Sequence, residues 1–549
     1  MRYRWLLFLT LCAGVGLAGY FVGKSLGLWA APNQASVRPV PAGHQEIAWI
    51  APATSGDAWE RLVAALAQLQ EQGSKRSGSA TLHLDLDKAF LDLSAEVPEI
   101  ALALGGSSAP KLWVRWYKLS GDNNSRQWIA SLQKRDTPPL AIVGGDTSDR
   151  ALALAEALKD AQAGWRGPAP LLLITTATAD RFFPSDRDAD VTAHEEWPKL
   201  MSVYAGRSFR FAFTNKRMVQ AVLDFVRQTP QVWPQNPAAL AGIVAPVNAW
   251  TSLSMLGGAG PWRPYYLYTL AWDDDGYSKD LSEIFFKQFA EQTAGRTGMA
   301  DISNVADGNV PYSTGDQYQA NPREIIAVNL FLADRGGLRD QQHLLVLPTG
   351  AQRMRRFLRT LCRQAPTEVR NVVVVNGDAI SFNTVYRDRD VAWNILDMPL
   401  PLVFFSHRNP IDKDAGFDPA KAATGTQDVL LYRDIFEALV QTSFQKDGAL
   451  ADADAVRDRL GQLRWRQQSL YLPGPESSIR GLPFFDADGD RTPGTGEHIV
   501  WLRPVYKDTL NLPQATITVW RAAGAGWRLS GPPLKVFYNR SSADGLVGE

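Results

Sequence analysis

Three acids in a row, Asp273, Asp274 and Asp275, follow an apolar run in LYTLAWDDDGYSKDLSEIFFKQFAEQ, which begins at Leu267. Adjacent carboxylates on an extended chain cannot converge on one ion. Cation loops alternate their ligands, as in D-x-D-x-D with a glycine. The acids stand where a helix begins, so they are expected to accept its free N–H groups and to meet the positive end of its dipole. Gly276 allows a sharp entry, and Tyr277 offers a ring and a hydroxyl at a sheet edge. A second acidic run, DADGDR from Asp486 to Arg491, does alternate, and Glu497 stands where an EF-hand would place its last ligand. Gly489 is out of register for that loop and no helices flank it, so a turn between strands is expected instead.

Other chemistry is sparse. The histidines His44, His83, His194, His343, His407 and His498 are scattered without HExxH or HxH spacing, so catalytic zinc is not expected. No GxSxG elbow occurs. Cys362, in RFLRTLCRQ, has the setting of a packed thiol, and a disulfide to the distant Cys12 is not expected. AGYFVGKS, Ala18 to Ser25, matches a phosphate-loop pattern but lies in an apolar N-terminal segment rather than between a strand and a helix. Gly19 and Gly23 in that segment form a GxxxG spacing of the kind chance supplies in a glycine-rich span. No acid/base or nucleophile constellation emerges, so an enzyme is not expected, nor a cofactor, nor a metal. The groups left for chemistry are hydroxyls: Ser55, Thr147, Ser148, Thr175, Thr176 and Thr178, with Tyr277.

The elements that carry them alternate. EIAWIAP, KLWVRWYKL, LAIVGG and PLLLITT read as strands, with the helical stretches SGDAWERLVAALAQLQEQ, SRQWIASLQKR and DTSDRALALAEALKDAQ between them. Such alternation predicts right-handed crossovers and a parallel sheet, with ligands at the carboxyl ends of the strands. The hydroxyls fall there, after the first, third and fourth strands. A second series follows SFRFAFTNKRMVQAVLDFVRQ: PYYLYTLAW, HLLVLPTG and VRNVVVVNG as strands, SKDLSEIFFKQFAEQ and AQRMRRFLRTLCRQ as helices. Two series predict an α/β chain of two Rossmann-like lobes with parallel sheets joined by hinge crossovers. The expected bounds are 45–210 and 380–445 for the first lobe, and 211–379 and 446–549 for the second with C-terminal strands. Residues 71–110 and 231–263 break the alternation and look like insertions.

Lysine plus arginine equals aspartate plus glutamate, 57 each, so no global field draws the chain to nucleic acid. At the N-terminus, Arg2 and Arg4 precede an uncharged run from Trp5 to Gly23, long enough to span a bilayer. Positive charge before it keeps that end cytoplasmic and sends the rest across. Residues 1–25 are therefore expected to form an uncleaved signal anchor and transmembrane helix, rather than a signal peptide with its shorter apolar core. Residues 26–44, rich in Pro, Ala and Ser, are expected to be a flexible tether.

Several stretches together resemble type 1 periplasmic-binding-protein-like domains, the group of the leucine/isoleucine/valine-binding proteins of ABC transporters and of several receptor ligand-binding domains. DDxGYS with its helix is similar to the second-lobe signature. IAWIAPATSGDAWERL, LAIVGGDTSDRALALAEAL, LLLITTATAD, RSFRFAFTNKRMVQAVLDFV, TGTQDVLLYRDIFEALVQT and PFFDADGDR fall in the family's order across residues 45–505. The resemblance implies a type 1 periplasmic binding protein fold and a membrane-tethered solute-binding protein facing the periplasm or cell exterior. Its implied solute is an amino acid or other small polar molecule, passed to an ABC permease or reported to a sensor. Ser55, Thr147, Ser148, Thr175, Thr176 and Thr178 would hold the solute from one lobe and Tyr277 would cover it from the other. The sequence departs from the pattern in lacking the glycine of the first loop after Ala58 and in placing Trp49, Trp113 and Trp116 on strands near the cleft. Those bulky rings favour the alternative, a bilobal envelope module that binds proteins and has lost its solute.

Overall fold

The structure is a computed structural model. It describes residues 37–536 apart from 75–80, 92–95, 106–108, 122, 183–195, 234–266, 273–274, 293–321, 334–341, 386–397, 413–425, 446–447, 466–481, 494–495, 505–514 and 525. The expected transmembrane helix, its phosphate-loop and GxxxG matches, Cys12, Asp273 and Asp274 lie outside these residues, as does most of the expected insertion at 231–263. Among the described residues no helix is long and apolar enough to cross a membrane.

The chain is mixed α/β, built on two sheets that are parallel in their central strands. The first runs β2-β3-β4-β1-β5-β6-β7. Its strands are β1 (Gln45–Pro52), β2 (Leu82–Asp85), β3 (Glu99–Leu104), β4 (Lys111–Leu119), β5 (Ala141–Gly144), β6 (Leu171–Ile174) and β7 (Ser208–Arg210). The second runs β16-β15-β14-β11-β10-β9-β8, with β17 on β15. It comprises β8 (Leu267–Thr269), β9 (His343–Val346), β10 (Val372–Val375), β11 (Leu402–Ser406), β14 (His498–Pro504), β15 (Ala515–Ala523), β16 (Gly526–Leu529) and β17 (Leu534–Val536). A short ladder, β12 (Arg464–Trp465) with β13 (Leu482–Pro483), lies apart.

Period-two patterning explains why the central strands are buried on both faces. In β1, Ile47, Trp49 and Ala51 join one core while Ala48 and Ile50 join another. In β10, Val372 and Val374 face one core of the second sheet and Val373 and Val375 the other. Helices α1 (Gly56–Ser74), α8 (Thr426–Ser443) and α9 (Ala453–Gly461) close one side of the first sheet. Helices α2 (Ser125–Gln133) and α3 (Ser148–Ala161) close the other. Around the second sheet, α4 (Asn215–Gln228) and α5 (Gly276–Gln292) lie on one face, and α6 (Pro322–Ala333) and α7 (Ala351–Gln364) on the other. In α7, Met354, Phe357, Leu358, Leu361 and Cys362 form a buried stripe at helical spacing, which places the lone thiol in the core.

Five expectations need correction. Neither sheet is wholly parallel: β2 and β3 add antiparallel strands to the first, and β14 to β17 to the second. The stretch expected as an insertion at 71–110 thus includes an edge hairpin that widens the first sheet. The return to the first lobe does not begin at 380, because β11 pairs with β10 and β14 in the second sheet. Nor does it end at 445, since Val456, Leu460, Phe484 and Phe485 pack into the first lobe's core. The end of the tether is not free either. The Arg38 carbonyl takes hydrogen bonds from Arg115 (3.2 Å) and Arg135 (2.9 Å), whose guanidiniums also reach Glu46 (2.7 and 2.8 Å) in the first lobe's floor.

The chain passes between lobes after β7, after β11 and before β14, and these crossings are cross-linked. The Phe213 N–H donates to His407 Nδ1 (3.1 Å), Arg491 donates to the Phe211 carbonyl (3.0 Å), and the Arg491 guanidinium lies 4.2 Å from the Phe213 ring centre. The DADGDR stretch is the expected turn. Asp486 Oδ1 accepts the N–H groups of Asp488 and Asp490, each at 2.9 Å, and Gly489 adopts φ +89° with its carbonyl accepting the Arg210 N–H (2.9 Å). Glu497 pairs with Arg217 (2.7 Å). Among the described residues no group of three or more His, Cys, Asp or Glu is placed to hold a metal ion.

Candidate functional site

A cleft of about 520 Å³ opens between the lobes, at the carboxyl ends of both sheets. On the first lobe its wall begins with the turn after β5. Gly145 adopts φ +74° there, and a Cβ would stand 2.8 Å from Ala151, so only glycine lets the chain swing this closely into α3. Thr147 then caps α3, its Oγ1 accepting the Arg150 N–H (3.4 Å), and Ser148 Oγ accepts the Ala179 N–H (3.2 Å) from the loop after β6. That loop brings Thr176 and Thr178 to the cleft, Thr176 donating to the Asp146 carbonyl (2.9 Å). Thr178 makes no side-chain hydrogen bond among the described residues. Helices α1 and α8 add Arg61, Asp428 and Tyr432.

The second lobe contributes the starts of α5 and α7 and the loops after β10 and β11. Asp275 caps α5, its Oδ1 accepting the N–H groups of Tyr277 (3.1 Å) and Ser278 (3.3 Å), which is the capping role expected of the acidic run. The Tyr277 hydroxyl accepts the N–H groups of Asp378 (3.2 Å) and Ala379 (3.3 Å), and Gly377 leaves it room, since a Cβ there would come within 2.5 Å. Burial, then the neighbouring Asp378 charge, holds that phenol well above its ordinary pKa. His407 follows β11. Its Nδ1 accepts the Phe213 N–H, so its proton sits on Nε2, which donates to Asp378 (2.7 Å). Both ring nitrogens are committed, leaving no lone pair to activate a nucleophile.

Five expected residues thus meet in one cleft: Thr147, Ser148, Thr176, Thr178 and Tyr277. Two do not line it. Thr175 is buried behind its strand and donates to the Gly144 carbonyl (3.3 Å). Ser55 begins α1, with its N–H on the Pro52 carbonyl (2.9 Å) and its carbonyl taking the Trp59 N–H (3.0 Å). Tyr277 is also not waiting for closure to find a partner, because its hydroxyl is tied within its own lobe. The bulky rings do not fill the cleft. Trp49 and Trp116 stack with Trp59 in the first lobe's core, at centroid separations of 5.3 and 5.7 Å. Trp113, near the amino end of β4, lies beneath Lys111 and Arg115.

Arg61, Asp378, His407, Asp428 and Tyr432 went unanticipated. Arg61 Nη1 donates to Asp428 Oδ2 (2.7 Å). Burial raises the Asp428 pKa, Arg61 opposes this, and Asp378 adds to it across the cleft. Tyr432, one helical turn on, has a hydroxyl with no hydrogen-bond partner among the described residues, and burial with the Asp428 charge raises its pKa. The lining carries five aspartates, 146, 149, 275, 378 and 428, and one arginine, with Arg150 on Asp146 (2.5 Å) and Arg353 3.9 Å from Asp275 just beside it.

No family model and no curated protein matches the chain. Solved structures do, over most of its length. Its likeness is to the type 1 periplasmic binding proteins. A solute-binding protein of an ABC transporter from R. palustris, in complex with 4-hydroxybenzoate, is 12% identical, with 85% of this chain and 94% of that one covered and a TM-score of 0.45. A leucine-, isoleucine-, valine-, threonine- and alanine-binding protein from Brucella ovis is 11% identical, with coverage of 93% and 94% and a TM-score of 0.44. A periplasmic binding protein type 1 from Bordetella pertussis is 10% identical, with coverage of 89% and 100% and a TM-score of 0.42.

Proposed function

We propose that this chain is a membrane-tethered, extracytoplasmic solute-binding protein whose lobes close on a small polar molecule. The observation that carries this reading is the cleft between two sheets, lined from both at strand ends and of a size suited to a small solute. A small polar solute, with an amino acid as one form, would be held by the free hydroxyls of Thr178 and Tyr432. An ABC permease or a sensor would take the next step. His407 lacks a free nitrogen for acid/base work, which supports a binding role over catalysis. A protein-binding module without a solute drew its support from tryptophans near the cleft, and Trp49 and Trp116 are core residues.

A thermal-shift screen of amino acids, other amines and small carboxylates tests the reading. A solute at a hundredfold excess over its Kd should stabilise the protein by about 2.7 kcal/mol. Thr178→Val and Tyr432→Phe should each weaken a hit about tenfold while leaving the melting point of the free protein nearly unchanged. A screen without a single shift would overturn it. The anchor has its own test: protease added to intact spheroplasts should digest the domain, and protection until lysis would reverse the expected topology.

A further inference from the structure

Outside the cleft, an acid of one lobe stands beside an acid of the other, joined by a main-chain hydrogen bond. Asp180 follows β6 in the first lobe, and its N–H donates to Asp280 Oδ2 (2.8 Å) on α5 of the second. The same oxygen accepts Asn215 Nδ2 (2.8 Å), and Asp280 is fully buried. Asp180 Oδ2 accepts the Lys216 N–H (2.6 Å), and its Oδ1 stands 4.0 Å from Arg210 Nη2. Arg210 is shared, because its Nε donates to Asp490 (2.7 Å) on the turn before β14. Three carboxylates therefore face one guanidinium. Asp180, Arg210 and Asp490 line an interlobe groove of about 920 Å³, whose other charged groups are Arg181, Lys199, Lys216, Lys287, Glu291 and Asp488. The contact is also one donor short, since buried Asn215 Oδ1 finds none among the described residues.

We propose that the Asp180–Asp280 contact is a proton-binding switch between the lobes: one proton taken up there holds them together, and its release lets them part. The proposal rests on lobe movement, as solute binding requires, but its test needs no solute. Like charges brought together, with Asp280 fully buried and Asp180 only partly exposed, cannot both ionise cheaply. Burial, and then the Asp280 charge, push the Asp180 carboxyl up to about 7 with the lobes in contact. With the lobes apart it is solvated and returns to about 3.9. The state with the higher pKa binds the proton more tightly. Contact is thus favoured fully at a pH below about 4, progressively less as pH rises to about 7, and at a constant lower level above.

Hydrogen exchange of the full chain, read at the Asp180 and Lys216 amides and corrected for the intrinsic rate, reports the contact directly. Protection should fall about tenfold or more between about pH 5.5 and about pH 8. Asp180→Asn keeps the shape without the charge, and should be equally protected at both. A wild-type protection that does not depend on pH would sink the proposal, as would an Asp180→Asn protein that keeps the wild-type response. Should that variant not fold, Asp280→Asn decides: a flat profile supports the switch, and a wild-type profile overturns it. A solute screen without hits leaves this result untouched.

Discussion

Replacing Arg210 by methionine is expected to cost about 3–5 kcal/mol of stability, because removing one partner of a buried ion pair strands the others. The side chain is 1% exposed and has no neutral role to fall back on. Its Nε donates to Asp490 (2.7 Å), its Nη1 donates to the Ala179 carbonyl (2.7 Å), and Asp180 stands beside it. Burial works against its charge, yet Asp490 and Asp180 more than offset this and hold its pKa above the usual value. Methionine fills much of the volume, so the loss reads the charge rather than a cavity. The same change at Arg166, whose partner Asp136 is a surface residue, should do little, since exposed ion pairs contribute little. Denaturant unfolding of both variants at neutral pH compares them. Equal, small losses would mean that water reaches Asp490 and Asp180 freely.

Arg210 also marks where the sequence stops being legible. The strands and helices that carry the cleft could be read locally. Alternation in EIAWIAP fixes two faces, the glycine pair of LAIVGG forces a turn, and Thr147 behind it caps a helix. Hydroxyls after parallel strands then follow from a general rule, and five of the expected residues do share the cleft. What could not be read is which sheet a strand joins. The segment at β11 has the apolar run of any central strand, and its place beside β10 and β14 depends on partners far along the chain. Assigning it to the first lobe hid His407 behind it, and Asp378 after β10 was hidden because nothing local in VRNVVVVNGD marks an acid that faces a cleft. Asp428 and Tyr432 were hidden differently. They lie on a helix whose spacing shows a core face, and nothing local says that its first turns reach a cleft. Arg210 reads as an ordinary strand residue until the turn at Gly489, far along the chain, folds back onto it.

Leucine at Gly276 is expected to wedge the lobes apart and weaken solute binding about hundredfold, or some 2.7 kcal/mol. Gly276 opens α5 in the second lobe, yet its nearest neighbours belong to the first. A Cβ there would stand 3.1 Å from Asp149 Oδ1 and 3.6 Å from the Phe182 ring. Alanine would need only a small shift of those flexible side chains. Leucine adds three more carbons directed across the contact, and no rotation of Asp149 alone makes room for them. The side chain projects out of its own lobe, so the second lobe's core is undisturbed; it presses on Phe182 of the first lobe's core only while the lobes meet, so the melting point of the free protein should stay near that of wild type. The loss would come from population, since a solute that needs both lobes binds in proportion to the fraction of molecules able to close. Gly377→Ala makes the contrast. Its Cβ would come within 2.5 Å of the Tyr277 hydroxyl in the same lobe, so it should lower stability and affinity together. Calorimetric titration of a solute found by melting shift measures the first effect, and wild-type affinity in Gly276→Leu would show that binding does not require the lobes to meet there. The wedge also acts without solute. At about pH 5.5 the Asp180 amide of Gly276→Leu, corrected for the intrinsic rate, should be no better protected than that of wild type at about pH 8, because separation, whether by charge or by bulk, breaks the same hydrogen bond to Asp280.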